Sequence, residues 1–211
     1  MKKYKKLYIA SITIILLFSF QVANGAWFNF RSKVKLGSPT LYPAMPLKTN
    51  QTQCYDASNV LTSCSNTVGQ DGNYVKGQTR GYIDNGNNTI TDNSTGLMWS
   101  KCSEGQSGST CATGSATTAT WPNAITACEA STLAGYTDWR LPNVNELQTL
   151  ADYGRFSPSI NITYFPNTAS NYYWSASTYV VSPSSAWVVY FGNGVVYYNS
   201  KTNGNYVRCV R

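Results

Sequence analysis

The chain of 211 residues contains no histidine, and only 12% of its residues are charged. Because histidine is the usual general base near neutral pH, its absence excludes Ser–His and Cys–His nucleophile pairs. The Gly-x-Ser-x-Gly elbow of hydrolases is also missing, and Glu146 is placed to cap a helix. A glycosidase-type pair of carboxylates stays formally open among the nine Asp and Glu. We expect a protein that is not an enzyme and uses no cofactor.

A long apolar run is missing as well, since the stretch from Leu7 to Phe20 is shorter than the roughly 20 residues of a membrane-spanning helix. Four lysines precede it, and Ala23 and Gly25 follow it as small residues that suit a signal peptidase. We therefore predict a signal peptide over residues 1–25, with an uncleaved anchor as the alternative. The protein is then secreted, at the cell surface or in the periplasm, and meets the membrane only during export.

The formal charge of +7 comes largely from the four lysines of this leader. Without them, twelve Lys and Arg stand against nine Asp and Glu, which is a net charge of +3. A basic patch for nucleic acid is therefore not indicated, and we expect no nucleic-acid partner.

All six cysteines follow the leader. An even number in an oxidising compartment predicts three disulfides, for which fifteen pairings are formally possible. A zinc site is not expected, because the spacings differ from zinc motifs and the chain has no histidine. Short polar loops between neighbouring cysteines predict the pairs Cys54–Cys64 and Cys102–Cys111. The two cysteines left over then predict the pair Cys128–Cys209.

The N-terminal half is rich in turn residues. Residues 26–48 show no steady period and are predicted to be an extended arm or linker, followed by one domain over residues 49–211. The segment from Tyr82 to Asp92 predicts a strand, an Asn/Gly turn and a second strand. It partly resembles a calcium loop, but the closing Glu of an EF-hand is missing and no metal site is expected. Its weak candidate ligands are Asp84, Asn88 and Asp92.

Two helices are predicted. Apolar residues recur near one face from Trp121 to Leu133, and Gly135 is a stop signal. The second helix starts at Asn143, where Glu146 three residues on completes a capping box, and it ends near Asp152 to Gly154.

The last forty residues, from Tyr172 onward, read as short aromatic strands with Ser, Asn and Thr between the aromatics. Residues Trp187 to Phe191 alternate, so one set is predicted to face the core and the other to face out. Gly192–Gly194 predicts a tight turn to a strand over Val195–Asn199, and Val207 and Cys209 are predicted to point inward. Large aromatics predicted to be core are Trp99, Trp139, Trp174 and Trp187.

From about Gln53 to its last residue, the chain resembles the bacterial domain family typified by the C-terminal domain of the Legionella collagen-like adhesin. The motifs that carry the resemblance occur in the family's order. They are Asp84-Asn85-Gly86, TDNSTGLMW from Thr91 to Trp99, DWRLP from Asp138 to Pro142 with Glu146-Leu147, Tyr173-Trp174-Ser175, Ala186-Trp187, and YVRCVR from Tyr206 to Arg211.

This resemblance implies an α+β, C-type-lectin-like fold, with two helices packed on short twisted antiparallel sheets and stabilised by disulfides. Family members are secreted or surface proteins, and in the adhesin the domain binds sulfated polysaccharides. The chain lacks the collagen-like Gly-X-Y stalk and the Glu-Pro-Asn and Gln-Pro-Asp motifs, so sugar binding through calcium is not implied. Similar terminal regions occur in targets of diversity-generating retroelements.

We therefore expect a non-enzymatic module for adhesion, which binds carbohydrate in the form of extracellular polysaccharide. There are two alternatives. One is a protein-recognition module that binds a surface protein with a diversifiable Tyr/Ser/Asn face, and the other is a structural envelope protein. Lys201, Arg208 and Arg211 are suited to sulfate or carboxylate groups, and for Arg208 the alternative is a contact with an Asp or a carbonyl inside the domain. The predicted ligand-facing residues are Tyr173, Tyr179, Tyr190, Tyr197, Tyr198, Asn199, Lys201, Asn203 and Asn205.

Overall fold

A computed structural model describes residues 46–211. The predicted signal peptide and residues 26–45 of the predicted arm lie outside these residues. In the described part of the chain, no helix is long and apolar enough to cross a membrane.

The described chain is an α+β domain of short strands with few helices. Its helices are α1 (Asp71–Tyr74), α2 (Trp121–Glu129) and α3 (Val144–Gln148), with single 3-10 turns at Cys64–Asn66 and Leu133–Gly135. Its strands are β1 (Cys54–Tyr55), β2 (Leu61–Thr62), β3 (Tyr82–Asp84), β4 (Thr89–Asp92), β5 (Met98–Ser100), β6 (Gln106–Ser107), β7 (Thr113–Gly114), β8 (Thr118–Ala119), β9 (Tyr172–Thr178), β10 (Ser185–Tyr190), β11 (Val195–Ser200) and β12 (Asn205–Tyr206).

The central sheet has five strands in the order β11-β10-β9-β12-β8. Strands β9, β10 and β11 form an antiparallel meander, whereas β12 runs parallel to β9. The strand β11 therefore lies at one edge of the sheet, paired with β10 on one side. This edge carries the site described below.

Both faces of β10 are covered, which corrects the prediction that alternate residues there face the core and the solvent. Val188 packs in a cluster with Ala124 of α2, while the next residue, Val189, packs in a second cluster with Leu147 of α3. Since successive side chains point to opposite faces, a strand between two packed layers is apolar on both. Trp187, predicted to be core, is only partly buried.

Strands β3 and β4 form the predicted hairpin, and β5 joins them in a second sheet. The C-terminal segment lies against this sheet, since Met98 and Arg211 exchange two backbone hydrogen bonds of 2.9 Å. On its other side Val210 pairs with Arg140. Val207 and Cys209 point inward as predicted, and their neighbours are buried too because the segment is enclosed.

The start of α3 is confirmed. Asn143 Oδ1 accepts from the Glu146 backbone N–H at 2.9 Å, and Glu146 Oε2 accepts from the Asn143 N–H at 2.8 Å. Both helices are shorter than predicted. The first ends at Glu129 instead of Leu133 because Ser131 and Thr132 favour turns over helix, and α3 ends at Gln148, with tighter turns of the i to i+3 type continuing the chain.

The three predicted disulfides are present, linking Cys54–Cys64, Cys102–Cys111 and Cys128–Cys209. The last of them ties α2 to the terminal segment. The predicted boundary between arm and domain falls within a paired segment, because Leu47 bridges to Gln78 and the Lys48 N–H donates to the Gln78 carbonyl at 2.9 Å.

Candidate functional site

Four aromatic side chains form a connected surface at the open edge of the central sheet, and we call it the aromatic edge: Tyr179, Trp187, Tyr197 and Tyr198. Tyr198 lies between two parallel rings, with centroid distances of 4.4 Å to Tyr179 and 4.9 Å to Tyr197. Trp187 meets Tyr179 edge-on at 5.0 Å. Such offset and edge-on contacts hold aromatic rings in a fixed arrangement.

The backbone places these rings together. Trp187 of β10 lies directly opposite Tyr198 of β11 in the sheet register, and such cross-strand neighbours share a face. Tyr179 follows the end of β9, where its N–H donates to the Ser185 carbonyl at 3.0 Å. Within residues 46–211 no strand covers the outer side of β11, and Tyr197 and Tyr198 are 52% and 39% exposed.

The stacked hydroxyl groups also affect ionisation. The neighbouring Tyr197 and Tyr179 hydroxyls raise the pKa of Tyr198, because negative charge on one ring disfavours it on the next. Tyr198 therefore keeps its proton at neutral pH, so its hydroxyl can both donate and accept hydrogen bonds.

A polar cluster lies next in the chain. The Lys201 ammonium donates to Thr178 Oγ1 at 2.9 Å and sits 4.0 Å from the centre of the Trp121 ring. Asn203 Nδ2 donates to Asn199 Oδ1 at 2.6 Å. Asn199 in turn donates to Asn205 Oδ1 at 3.2 Å. The Lys201 ammonium and the Asn199 and Asn203 amides are therefore held by hydrogen bonds within the domain, and they follow the aromatic edge directly in the sequence.

Three predicted ligand contacts are placed elsewhere. Tyr173 is 0% exposed, with its hydroxyl 2.7 Å from Ser103 Oγ, so the prediction that it meets a ligand is wrong. Asn205 is also buried, because β12 lies inside the sheet between β9 and β8. Tyr190 is half-buried against Tyr172 at 4.8 Å and does not join the aromatic edge.

Two predicted anion contacts are engaged within the domain. Arg208 is 1% exposed and donates to the Ser100 and Lys101 carbonyls and to Thr168 Oγ1. Burial lowers the pKa of Arg208, but a guanidinium keeps its proton in proteins. Arg211 forms a forked pair with Asp138, with its Nε donating to Oδ1 at 2.6 Å. Arg208 therefore makes the contact with carbonyls inside the domain that was its predicted alternative, and it does not bind a sulfate or carboxylate of a ligand.

The weak calcium candidates do not form a site. Asp84 accepts from Lys101 Nζ at 2.7 Å, and that hydrogen bond lowers its pKa. Asp92 is buried and accepts from the Ser94 N–H at 2.8 Å. Within residues 46–211 no group of three or more His, Cys, Asp or Glu side chains is placed to hold a metal ion.

These features define a small α+β domain with three disulfides and an exposed aromatic strand edge. Residues 88–211 match the model of the Lcl C-terminal domain family, so the chain belongs to that family and the predicted resemblance is confirmed. Membership suggests a surface or adhesin-type module, and together with the disulfides it is consistent with an exported protein. A search of curated proteins finds no match.

Sequence reasoning missed the part played by Trp187, which it assigned to the core. The sequence signal that could have shown this is the Gly-Asn-Gly turn after β10. That turn makes β11 the last strand of a meander, so β10, which carries Trp187, lies next to the edge strand. The sequence also gave no pointer to a polar pocket around Tyr82, described below.

Proposed function

We propose that this protein is an exported, non-enzymatic binding module with a C-type-lectin-like fold, and that it attaches to sulfated polysaccharide outside the cell. The observation that carries the proposal is the stack of Tyr179, Tyr198 and Tyr197 at an uncovered sheet edge. A row of parallel, uncharged rings suits the apolar faces of sugar rings, and fixed hydroxyls and amides beside it suit their polar edges.

The distribution of charge favours an anionic polymer. No Asp or Glu occurs after Asp152, so the terminal region holds no acidic side chain that would repel sulfate. Of its cations, Arg155 and Arg211 pair with carboxylates and Arg208 is buried. Lys201 has no carboxylate partner among the described residues, and its ammonium donates to Thr178, the residue before Tyr179 of the aromatic edge, so the proposal assigns the sulfate contact to Lys201.

A sulfated polysaccharide and its chemically desulfated form provide a matched pair of ligands for the test. We expect tighter binding of the sulfated form and a loss of that advantage above physiological salt, because sulfate contacts are screened while ring stacking is not. Equal binding of both forms at low salt would remove sulfate from the proposal.

The proposed export is tested by sequencing the N-terminus of the exported protein. We expect it to begin at Ala26, after removal of the signal peptide.

A surface protein is the second candidate ligand, and one observation favours it. Val180 and Val181, at the tip of the turn beside Tyr179, are 84% and 76% exposed. Exposed apolar patches mark protein-interaction sites, and tyrosines such as the neighbouring Tyr179 are enriched there. Replacing both valines with Ser separates the candidates, since a protein contact is weakened and polysaccharide binding is unchanged.

A further inference from the structure

A polar pocket lies apart from the aromatic edge and shares no residue with it. Its volume is about 260 Å³, slightly below the roughly 300 Å³ at which ligand pockets usually begin. The space therefore suits one ring-sized molecule and not an oligomer. The lining residues are Asn50, Arg80, Gly81, Tyr82, Asn93, Leu150, Asp152, Asn161 and Tyr164.

Part of the pocket lies outside the segment that matches the family. Asn50, Arg80, Gly81 and Tyr82 precede residue 88, where the match to the family begins. The pocket is thus built between the N-terminal part of the domain and the family segment.

The charged groups of the pocket are fixed by the protein. The Arg80 Nε donates to the Lys48 carbonyl at 3.3 Å and its Nη1 donates to the Thr149 carbonyl. Asp152 is 5% exposed, and its two oxygens accept from the Gly154 N–H at 3.0 Å and from Arg155 at 3.1 Å. One guanidinium and one carboxylate leave the lining formally neutral, which favours an uncharged ligand over an ion.

The pocket also has an aromatic wall. The rings of Tyr82 and Tyr164 lie 5.3 Å apart with a tilt of 45°. Burial raises the pKa of Tyr82 to about 12, so its hydroxyl stays protonated and able to donate.

We propose that this pocket binds a single neutral sugar ring. Sugar hydroxyls act as donors and acceptors at once, and the pocket provides both kinds of partner: carboxylate oxygens that accept, a guanidinium that donates, and Asn amides that do either. The Tyr82 and Tyr164 rings supply the apolar wall that the carbon face of a sugar needs. The proposal stands independently of polysaccharide binding at the aromatic edge.

The test is a titration of the isotope-labelled purified protein with glucose, galactose, mannose and N-acetylglucosamine, followed by NMR at the side-chain amides of Asn50, Asn93 and Asn161. We expect saturable shifts with at least one sugar and a dissociation constant on the order of 1 mM, given the few atoms of one ring. Asp152→Asn keeps the shape of the side chain and should weaken binding about tenfold.

Because Asp152 is buried, a second variant guards against a folding defect. Asn93→Ala alters an exposed lining residue and should weaken the same sugar severalfold, whereas Asn123→Ala, an exposed Asn on α2, should leave it unchanged. The Tyr197→Ala/Tyr198→Ala variant should keep the full titration. Absence of shifts with every sugar, or wild-type affinity in both pocket variants, would overturn the proposal. So would shifts that calcium chloride or glycine produces and the sugars do not.

Discussion

Tyr197 and Tyr198 are neighbours in β11, yet their rings lie parallel with centroids 4.9 Å apart. Consecutive residues of a strand normally point to opposite faces, so one ring leans across the outer side of the strand, which no other strand in the described part of the chain covers. The two rings therefore join the faces of the sheet into one surface around its edge. This relationship is what makes a stacking ligand plausible, and it makes the pair the natural target for mutation.

Replacing Lys201 with Ala tests the electrostatic part of the proposed polysaccharide contact. We expect affinity for a sulfated polymer to fall about threefold at low salt, since a partly exposed charge contributes modestly. The difference from the wild type should shrink at high salt. Lys76→Ala removes an exposed lysine elsewhere and is the control; an equal loss in both variants would point to general charge attraction instead of a defined contact.

The disulfides should differ in their effect on stability. Cys128–Cys209 closes a loop with a sequence separation of 81, against 10 for Cys54–Cys64. Loop-entropy arguments give about 4.5 kcal/mol for the long loop and about 3 kcal/mol for the short one. Urea unfolding of the two double Cys→Ala variants checks the order, and a larger loss from the Cys54–Cys64 variant would contradict it.

Acid should destabilise the start of α3. Arg140 donates two hydrogen bonds of 2.7 Å to Glu146, and these bonds lower the pKa of Glu146 below its ordinary value of 4.5. A lowered folded-state pKa means that the stabilisation is complete above the unfolded value and is lost as the pH falls through the folded one. Glu146→Gln should therefore reduce the free energy of unfolding near pH 7. The loss of that free energy between about pH 7 and about pH 3 should be smaller in the variant than in the wild type.

The control for this prediction is Glu129→Gln at the end of α2, an exposed carboxylate without a salt bridge among the described residues. It should retain the wild-type acid sensitivity. If Glu146→Gln loses stability to acid as steeply as the wild type does, the assignment of this pair is wrong.

Arg208 should be the most sensitive cation of the domain. Its guanidinium binds the Ser100 and Lys101 carbonyls and Thr168 Oγ1 inside the core, so Arg208→Met leaves buried acceptors without donors at a cost of roughly 3 to 5 kcal/mol. Arg211→Met breaks an exposed pair with Asp138 and should cost little. Equal thermal stability of the two variants would contradict the structural role of Arg208.

Local rules predicted much of this fold. The capping box of Asn143 and Glu146 and the β3–β4 turn depend on residues a few positions apart, so the sequence carries them directly. The long disulfide followed from the even number of cysteines once the two short pairs were assigned. The shortened α2 was missed because apolar spacing continues past the point where Ser131 and Thr132 end the helix.

What the sequence did not reveal depends on long-range packing. Tyr173 and Tyr197 each have another tyrosine beside them in an aromatic strand, but β9 is enclosed within the sheet and β11 is at its edge, so only Tyr197 is exposed. Arg208 looks like a surface cation until the C-terminal segment is placed between β5 and the rest of the domain. Strand order, which local periodicity does not encode, decides both cases.

Binding of wild-type protein and of the Tyr197→Ala/Tyr198→Ala variant to an array of sulfated and neutral polysaccharides, at low and physiological salt, tests the central claim most directly. The variant removes two exposed rings, so the fold should persist, and Tyr74→Ala, which removes another exposed tyrosine, is the control. The account predicts binding of sulfated polysaccharide by wild type and by the control, and its loss in the double variant. Wild-type affinity retained by a folded double variant would contradict it.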